Sequence, residues 1–160
     1  MSFYRRCLPH WHPPDSRFFI TFRLHGSRPH CPGGPLWLQD PLVAVIVSTE
    51  IQASLRRGEI AELLAWVVMP NHVHLLLKPE GDLTPVLRRI KGASARKSNL
   101  HLGRTGRFWL EESFDHWVRD DRECQRLSNY IEQNPVSAGL AAAPGQWPWS
   151  SASWNTCPAT

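Results

Sequence analysis

Two short segments carry residue types that could do chemistry together. The first is His72-Val73-His74, inside the apolar run VVMPNHVHLLLKP at 67–79. The second is Tyr130 with Asn134, inside NYIEQNPVSAGL at 129–140. On a strand, side chains two apart share a face, so His72 and His74 project together while Val73, Leu75 and Leu77 project into the core. Two imidazoles one pleat apart can share one metal ion. They can equally form a satisfied buried pair or an exposed pair, and the spacing alone leaves all three readings open. Rival HxH chemistries lack their other residues. An HxHxDH hydrolase needs Asp-His where Leu76 and Leu77 stand, and no HExxH helix occurs. Amidohydrolase barrels need a far longer chain than 160 residues. What remains is a mononuclear site for phosphate chemistry, with a hard divalent cation and a nucleophile from elsewhere.

Tyr130 is the candidate nucleophile. Only two tyrosines exist, and the other, Tyr4, lies in a Pro/His/Arg-rich arm. Tyr130 and Asn134 are four apart, hence on one helix face. A phenol can attack a phosphodiester and form a covalent phosphotyrosine. An amide oxygen one turn on can complete a site for Mg²⁺ or Mn²⁺, which favour oxygen ligands. The plainer reading of a helical tyrosine is packing.

The elements that must position these residues follow from local pattern. Residues 1–16 read as an irregular arm, and RFFITFRLHG at 17–26 as a first strand ended by Gly26. Asp40-Pro41 opens a helix, as N-cap and first helical residue, with Leu42, Val45, Ile46 and Ala53 at helical spacing and a stop near Gly58. Strands at 62–69 and His72 to Lys78 flank the Pro70-Asn71 turn and form an antiparallel hairpin. A second helix follows with Leu83, Leu87 and Ile90 inward. A fourth strand is expected at Phe114 to Val118. Asp120-Asp121 caps a third helix, carrying Leu127 and Ile131, that Pro135 should end at Asn134. Residues 141–160 read as an irregular tail. The order suggests a single α+β domain over 1–160, a small antiparallel sheet sandwiched with helices.

Composition adds a partner class. Hydrophobic residues make up 42% of the chain, enough for it to fold alone. No apolar run spans a membrane, and a cytoplasmic protein with nucleoid-associated activity is expected. The cysteines at 7, 31, 124 and 157 are too scattered for a metal knuckle and read as free thiols. The net charge of +4 says little by itself, but its distribution says more. Between Leu83 and Phe108 lie Arg88, Arg89, Lys91, Arg96, Lys97, Arg104 and Arg107, with no acid among them. Such a field tracks phosphates, although a solvated helix face is the plain alternative. Arg17 and Arg23, with Arg5 and Arg6 of the arm, add candidate contacts to DNA. Trp11, Trp109 and Trp117 are candidates for stacking on unpaired bases.

These segments together resemble the REP-associated tyrosine transposases, relatives of the IS200/IS605 transposases among the HUH single-strand nucleases. The matching stretches are RRCLPHWHPP, FFITFRLHG, AWVVMPNHVHLLLKP, GRFWLEESFDHWVRD, YIEQNPVSAGL and WPWSS. The pairing of MPNHVHLLL with YIxxNPVxAGL, in that order, is the specific part. The resemblance implies an RRM-like or ferredoxin-like sheet with the histidines at its centre. His72 and His74 then look like the metal-binding pair, Tyr130 like the single catalytic tyrosine, and Asn134 like a third, polar ligand. It further implies single-stranded DNA with hairpin-forming palindromic repeats as substrate and a 5′-phosphotyrosine intermediate. A monomer is expected, although insertion-sequence relatives act as dimers exchanging tyrosine helices. Ser137 stands where such proteins often carry a basic residue, which bears on DNA contacts and not on the chemistry.

Three functions compete. The first is a metal-dependent single-stranded DNA endonuclease and strand transferase. The second is a non-catalytic hairpin-binding protein on the same fold. The third is an RNA-binding RRM-like module, but HVHLLLK is not a glycine- and aromatic-rich RNP1 strand.

Overall fold

A computed structural model describes Pro13 and residues 15–28 and 33–154. The expectations for Tyr4, Arg5, Arg6, Trp11, Cys7, Cys31 and Cys157 lie outside the described residues. Four strands, β1 (Arg17–Arg23), β2 (Ile60–Val68), β3 (His72–Pro79) and β4 (Phe114–Val118), form one antiparallel sheet in the order β2-β3-β1-β4. Helices α1 (Pro41–Arg56) and α2 (Leu83–His101) connect strands, and α3 (Asp121–Ser137) follows β4. This is the ferredoxin-like arrangement, in which two strand-helix-strand units interleave so that β1 and β3 become the central strands.

Alternation on the central strands divides the apolar residues between two cores. Phe18, Ile20 and Phe22 of β1, with Val73, Leu75 and Leu77 of β3, pack against α1 and α2. Phe19 and Leu76 face the other way, against Cys124 and Ile131 of α3. The sheet is therefore covered on both faces, and the histidine face is one of the covered ones.

The hairpin is tight: Met69 N–H donates to the His72 carbonyl at 2.8 Å across Pro70-Asn71, and Val68 pairs with Val73. Both acidic caps form. The Asp40 carboxylate accepts from Leu42 and Val43 N–H, and Asp120 accepts from Glu123 N–H.

Three expectations need correction. The buried stripe of α1 is Val43, Ala44, Val47 and Ile51, whereas Leu42 is 57% and Val45 40% exposed. Apolar residues surround the first turns of this helix, so spacing alone could not choose a side. Leu24 lies beyond β1, where its N–H donates to the Asn71 carbonyl at 3.0 Å and it forms an isolated bridge with Trp109, so the first strand is shorter than expected. Finally, Pro135 does not end α3, which continues to Ser137. A proline in the last turn forfeits one backbone bond. That loss is offset because Pro135 is itself buried, and the end is closed by Gly139 N–H to the Val136 carbonyl and Leu140 N–H to the Pro135 carbonyl. Gly139 sits at φ 72°, the left-handed position that this closure requires.

The tail is not irregular throughout. It carries a 3-10 turn (Pro144–Gln146) and a short helix, α4 (Ser151–Trp154). Val68 N–H donates to the Trp149 carbonyl at 2.8 Å, and Ser151 Oγ accepts from Trp66 N–H at 3.1 Å. The tail thus covers the outer edge of β2.

Candidate active site

Hydrogen bonding, aromatic packing and desolvation together set the state of the two histidines. Both face α3, and their ring centroids are 4.7 Å apart. His72 Nδ1 donates to Asn71 Oδ1 at 2.6 Å. His74 Nδ1 lies 2.7 Å from Thr21 Oγ1, its exact neighbour in the β1–β3 register. With each Nδ1 engaged, Nε2 is the nitrogen left to ligate, as expected for metal-binding histidines oriented by a further partner. His74 also stacks on Phe19, at 5.4 Å between centroids.

Burial dominates the electrostatics. It pushes the His72 imidazole down to about 4, with the Arg23 charge adding to the effect. Burial, then His72, then Arg23 push His74 down to about 3. Both rings are neutral at physiological pH, the form that donates a lone pair to a metal.

Tyr130 reaches this pair from α3. Its ring lies 5.6 Å from that of His74 and 6.1 Å from that of Phe19, both edge-on. It nevertheless stays 52% exposed, so it lines the mouth of the site rather than filling the core. Asn134 lies one turn further along α3 and is half-buried. Its side chain makes no hydrogen bond with any described residue. Among the described residues, no three His, Cys, Asp or Glu side chains converge as a metal cluster. The donor set on offer is therefore two neutral imidazoles, open to an oxygen ligand from an amide, water or a phosphate. That set fits a hard divalent cation sharing its shell with substrate.

Thr21 and Asn71 are functional candidates that sequence reasoning missed. Asn71 adjoins His72, but its signal in the sequence is that of a turn residue. Thr21 was visible as the one polar side chain within FFITF, but only the strand register brings it to His74.

The basic candidates separate on inspection. Arg23 is half-buried beside the histidines, opposite His72 in the register. Arg17 lies at the opposite end of β1, paired with Asp121 at 2.6 Å and near Glu62. Lys91 Nζ donates to the Leu110 and Glu111 carbonyls and to Ser113 Oγ. Arg89 pairs with Glu59, Lys97 with Glu50 and Arg107 with Glu111. The Arg104 guanidinium lies over the Trp37 ring at 3.4 Å and donates to Asn99. Arg88 and Arg96 are exposed and have no partner among the described residues. With Lys91 and Arg107, Arg88 lines a cleft of about 620 Å³ between α2 and residues 106–113. Trp109 is buried and donates to Ser94 Oγ, which removes it as a stacking platform, whereas Trp117 is 46% exposed.

An interleaved ferredoxin-like sheet with paired histidines beneath a tyrosine-bearing helix defines a class that the comparisons identify. Residues 46–134 match the family model for IS200-like transposases, over half of the chain, and the protein belongs to that family. The matched span includes both histidines, Tyr130 and Asn134. The chain is 31% identical over 98 residues to a REP-associated tyrosine transposase of Escherichia coli K12, covering 59% of this chain and 56% of that protein. It is 29% identical over 102 residues to a Haemophilus influenzae protein provisionally named as another, covering 56% of this chain and 58% of that one. The chain thus spans little over half the length of these curated relatives. A solved structure of a REP-associated tyrosine transposase bound to a REP hairpin superposes with a TM-score of 0.69 at 26% identity, covering 94% of this chain and 82% of that one.

Proposed function

We propose that this protein is a metal-dependent single-stranded DNA endonuclease and strand transferase, acting beside hairpin-forming palindromic repeats. The observation that carries the reading is the placement of the Tyr130 ring 5.6 Å from a neutral, oriented His74 that itself lies 4.7 Å from His72. The solved relative bound to a REP hairpin supports hairpin DNA as the partner.

His72 and His74, with Asn134 as oxygen donor, would hold Mg²⁺ or Mn²⁺, which supplies charge neutralisation at a phosphate oxygen. The Tyr130 oxygen attacks phosphorus in line, and the phosphorus–O3′ bond breaks. The phenolic proton passes to water, and the leaving 3′ oxygen takes one from water. The products are a 5′-phosphotyrosine on Tyr130 and a free 3′-OH. The covalent link conserves the phosphodiester energy, so a 3′-OH can reverse the step and join DNA without a nucleotide cofactor. Phe19 holds the His74 ring from one side and Tyr130 from another, which limits the conformational freedom lost on approach to the transition state.

The test uses labelled single-stranded oligonucleotides bearing hairpins, incubated with the protein and Mg²⁺ or Mn²⁺. A covalent protein–DNA adduct is expected. Tyr130→Phe should abolish it while retaining binding, and an undiminished adduct in that variant removes Tyr130 from the mechanism. His72→Ala with His74→Ala should lose both adduct and metal response. Full activity of the parent protein in EDTA sinks the metal assignment. Binding without any adduct selects the non-catalytic hairpin-binding reading.

A further inference from the structure

Arg23 is a charged group without a counter-charge among the described residues, beside the place where the proposed reaction would put a phosphate. It occupies β1 directly opposite His72, and residues so paired share a sheet face. It is half-buried, and it makes no ion pair or side-chain hydrogen bond with any described residue. Most other basic side chains near the sheet and α2 have carboxylate, carbonyl or ring partners. Among the described residues, the one group whose charge would favour its own is an ionised Tyr130. A partly desolvated cation flanked by two imidazoles costs stability unless an anion arrives.

We propose that Arg23 is the anion clamp of this site, its guanidinium donating to the non-bridging oxygens of the scissile phosphodiester while Tyr130 attacks. The proposal rests on the strand-transfer reading above and adds a catalytic residue to it. A planar fork of donors suits two phosphate oxygens, which a lysine in the same place could meet only as a point charge.

Arg23→Met keeps the apolar stem and deletes the charge. At saturating hairpin oligonucleotide the rate of adduct formation should fall roughly a hundredfold, the scale for losing one charge-stabilising donor. Half-saturation should move less than about threefold, because binding is spread over many phosphates. The melting temperature of the variant should equal or exceed that of the parent, since an uncompensated charge has gone. Arg23→Lys should recover part of the rate. Once the cleavage position is mapped, a methylphosphonate at that linkage removes the phosphate charge, and the parent-to-variant rate ratio should collapse towards one.

A parental rate in Arg23→Met overturns the clamp and leaves the strand-transfer reading intact. So does a loss that saturating DNA restores, which marks a remote backbone contact. A lowered melting temperature overturns it too, by showing that the guanidinium holds the fold. A rate ratio that persists on the methylphosphonate does the same. If the parent itself forms no adduct, the strand-transfer reading falls and the clamp falls with it.

Discussion

At the scale of single residues, the site depends on groups that orient others. Thr21 sets the His74 ring through Nδ1, and Asn71 sets His72. Thr21→Val keeps the shape of the side chain and removes the hydroxyl. Mn²⁺ affinity, measured by calorimetric titration, should drop about tenfold, at the lower end of the effect expected for such orienting partners. Unchanged affinity would show that packing against Phe19 alone fixes the ring. The candidates His72, His74 and Tyr130 stand out in the sequence through the pairing of MPNHVHLLL with YIxxNPVxAGL, because spacing alone leaves plain packing open. Thr21 was not legible as a partner of His74. The two are 53 residues apart, and only the β1–β3 register joins them.

At the scale of elements, the basic run from Arg88 to Arg107 reads in the sequence as a field for phosphates or as a solvated face, and its cations differ in their partners. Lys91 ties α2 to the segment preceding β4 with three hydrogen bonds, whereas Arg88 and Arg96 stand free of described partners. Lys91→Met should therefore destabilise the fold by about 1–3 kcal/mol in chemical denaturation, because it strands the Leu110 carbonyl. It should leave the salt dependence of DNA binding unchanged. Arg88→Gln and Arg96→Gln should each leave stability unchanged and reduce the slope of log affinity against log salt by about one. The reverse pattern would return Lys91 to the DNA-binding set. Charge density is visible in a sequence, but the carbonyls that capture a given ammonium are not, since they come from residues 110 and 111. The same limit explains Pro135. Its effect on Asn134 is local, but its burial and the closure through Gly139 are tertiary and outweigh it.

At the scale of the whole molecule, the hairpin, the capped helices and the α+β class followed from turn chemistry and period, which are local. The covering of the histidine face by α3 did not, because it needs the sheet order. Neither did the docking of the tail on β2. Ser151 Oγ joins Trp66 of β2 to Glu132 of α3, donating to the carboxylate at 2.9 Å. Deleting residues 141–160 should open the β2 edge, lower the melting temperature and produce concentration-dependent association detectable by light scattering. A monodisperse truncated protein with the parent melting temperature would show the tail to be dispensable.

The same latch has a consequence for the order of events during translation. The chain emerges from the ribosome N-terminus first, so both histidines and Tyr130 leave the exit tunnel before Ser151 does. Until Ser151 appears, the bond between Glu132 and the sheet edge cannot form, and the helix that carries the nucleophile lacks one of its fastenings. A nascent chain stalled before that point holds every chemical group of the site without its final bracing. The last fastening of α3 thus waits for a residue that is made after Tyr130 itself.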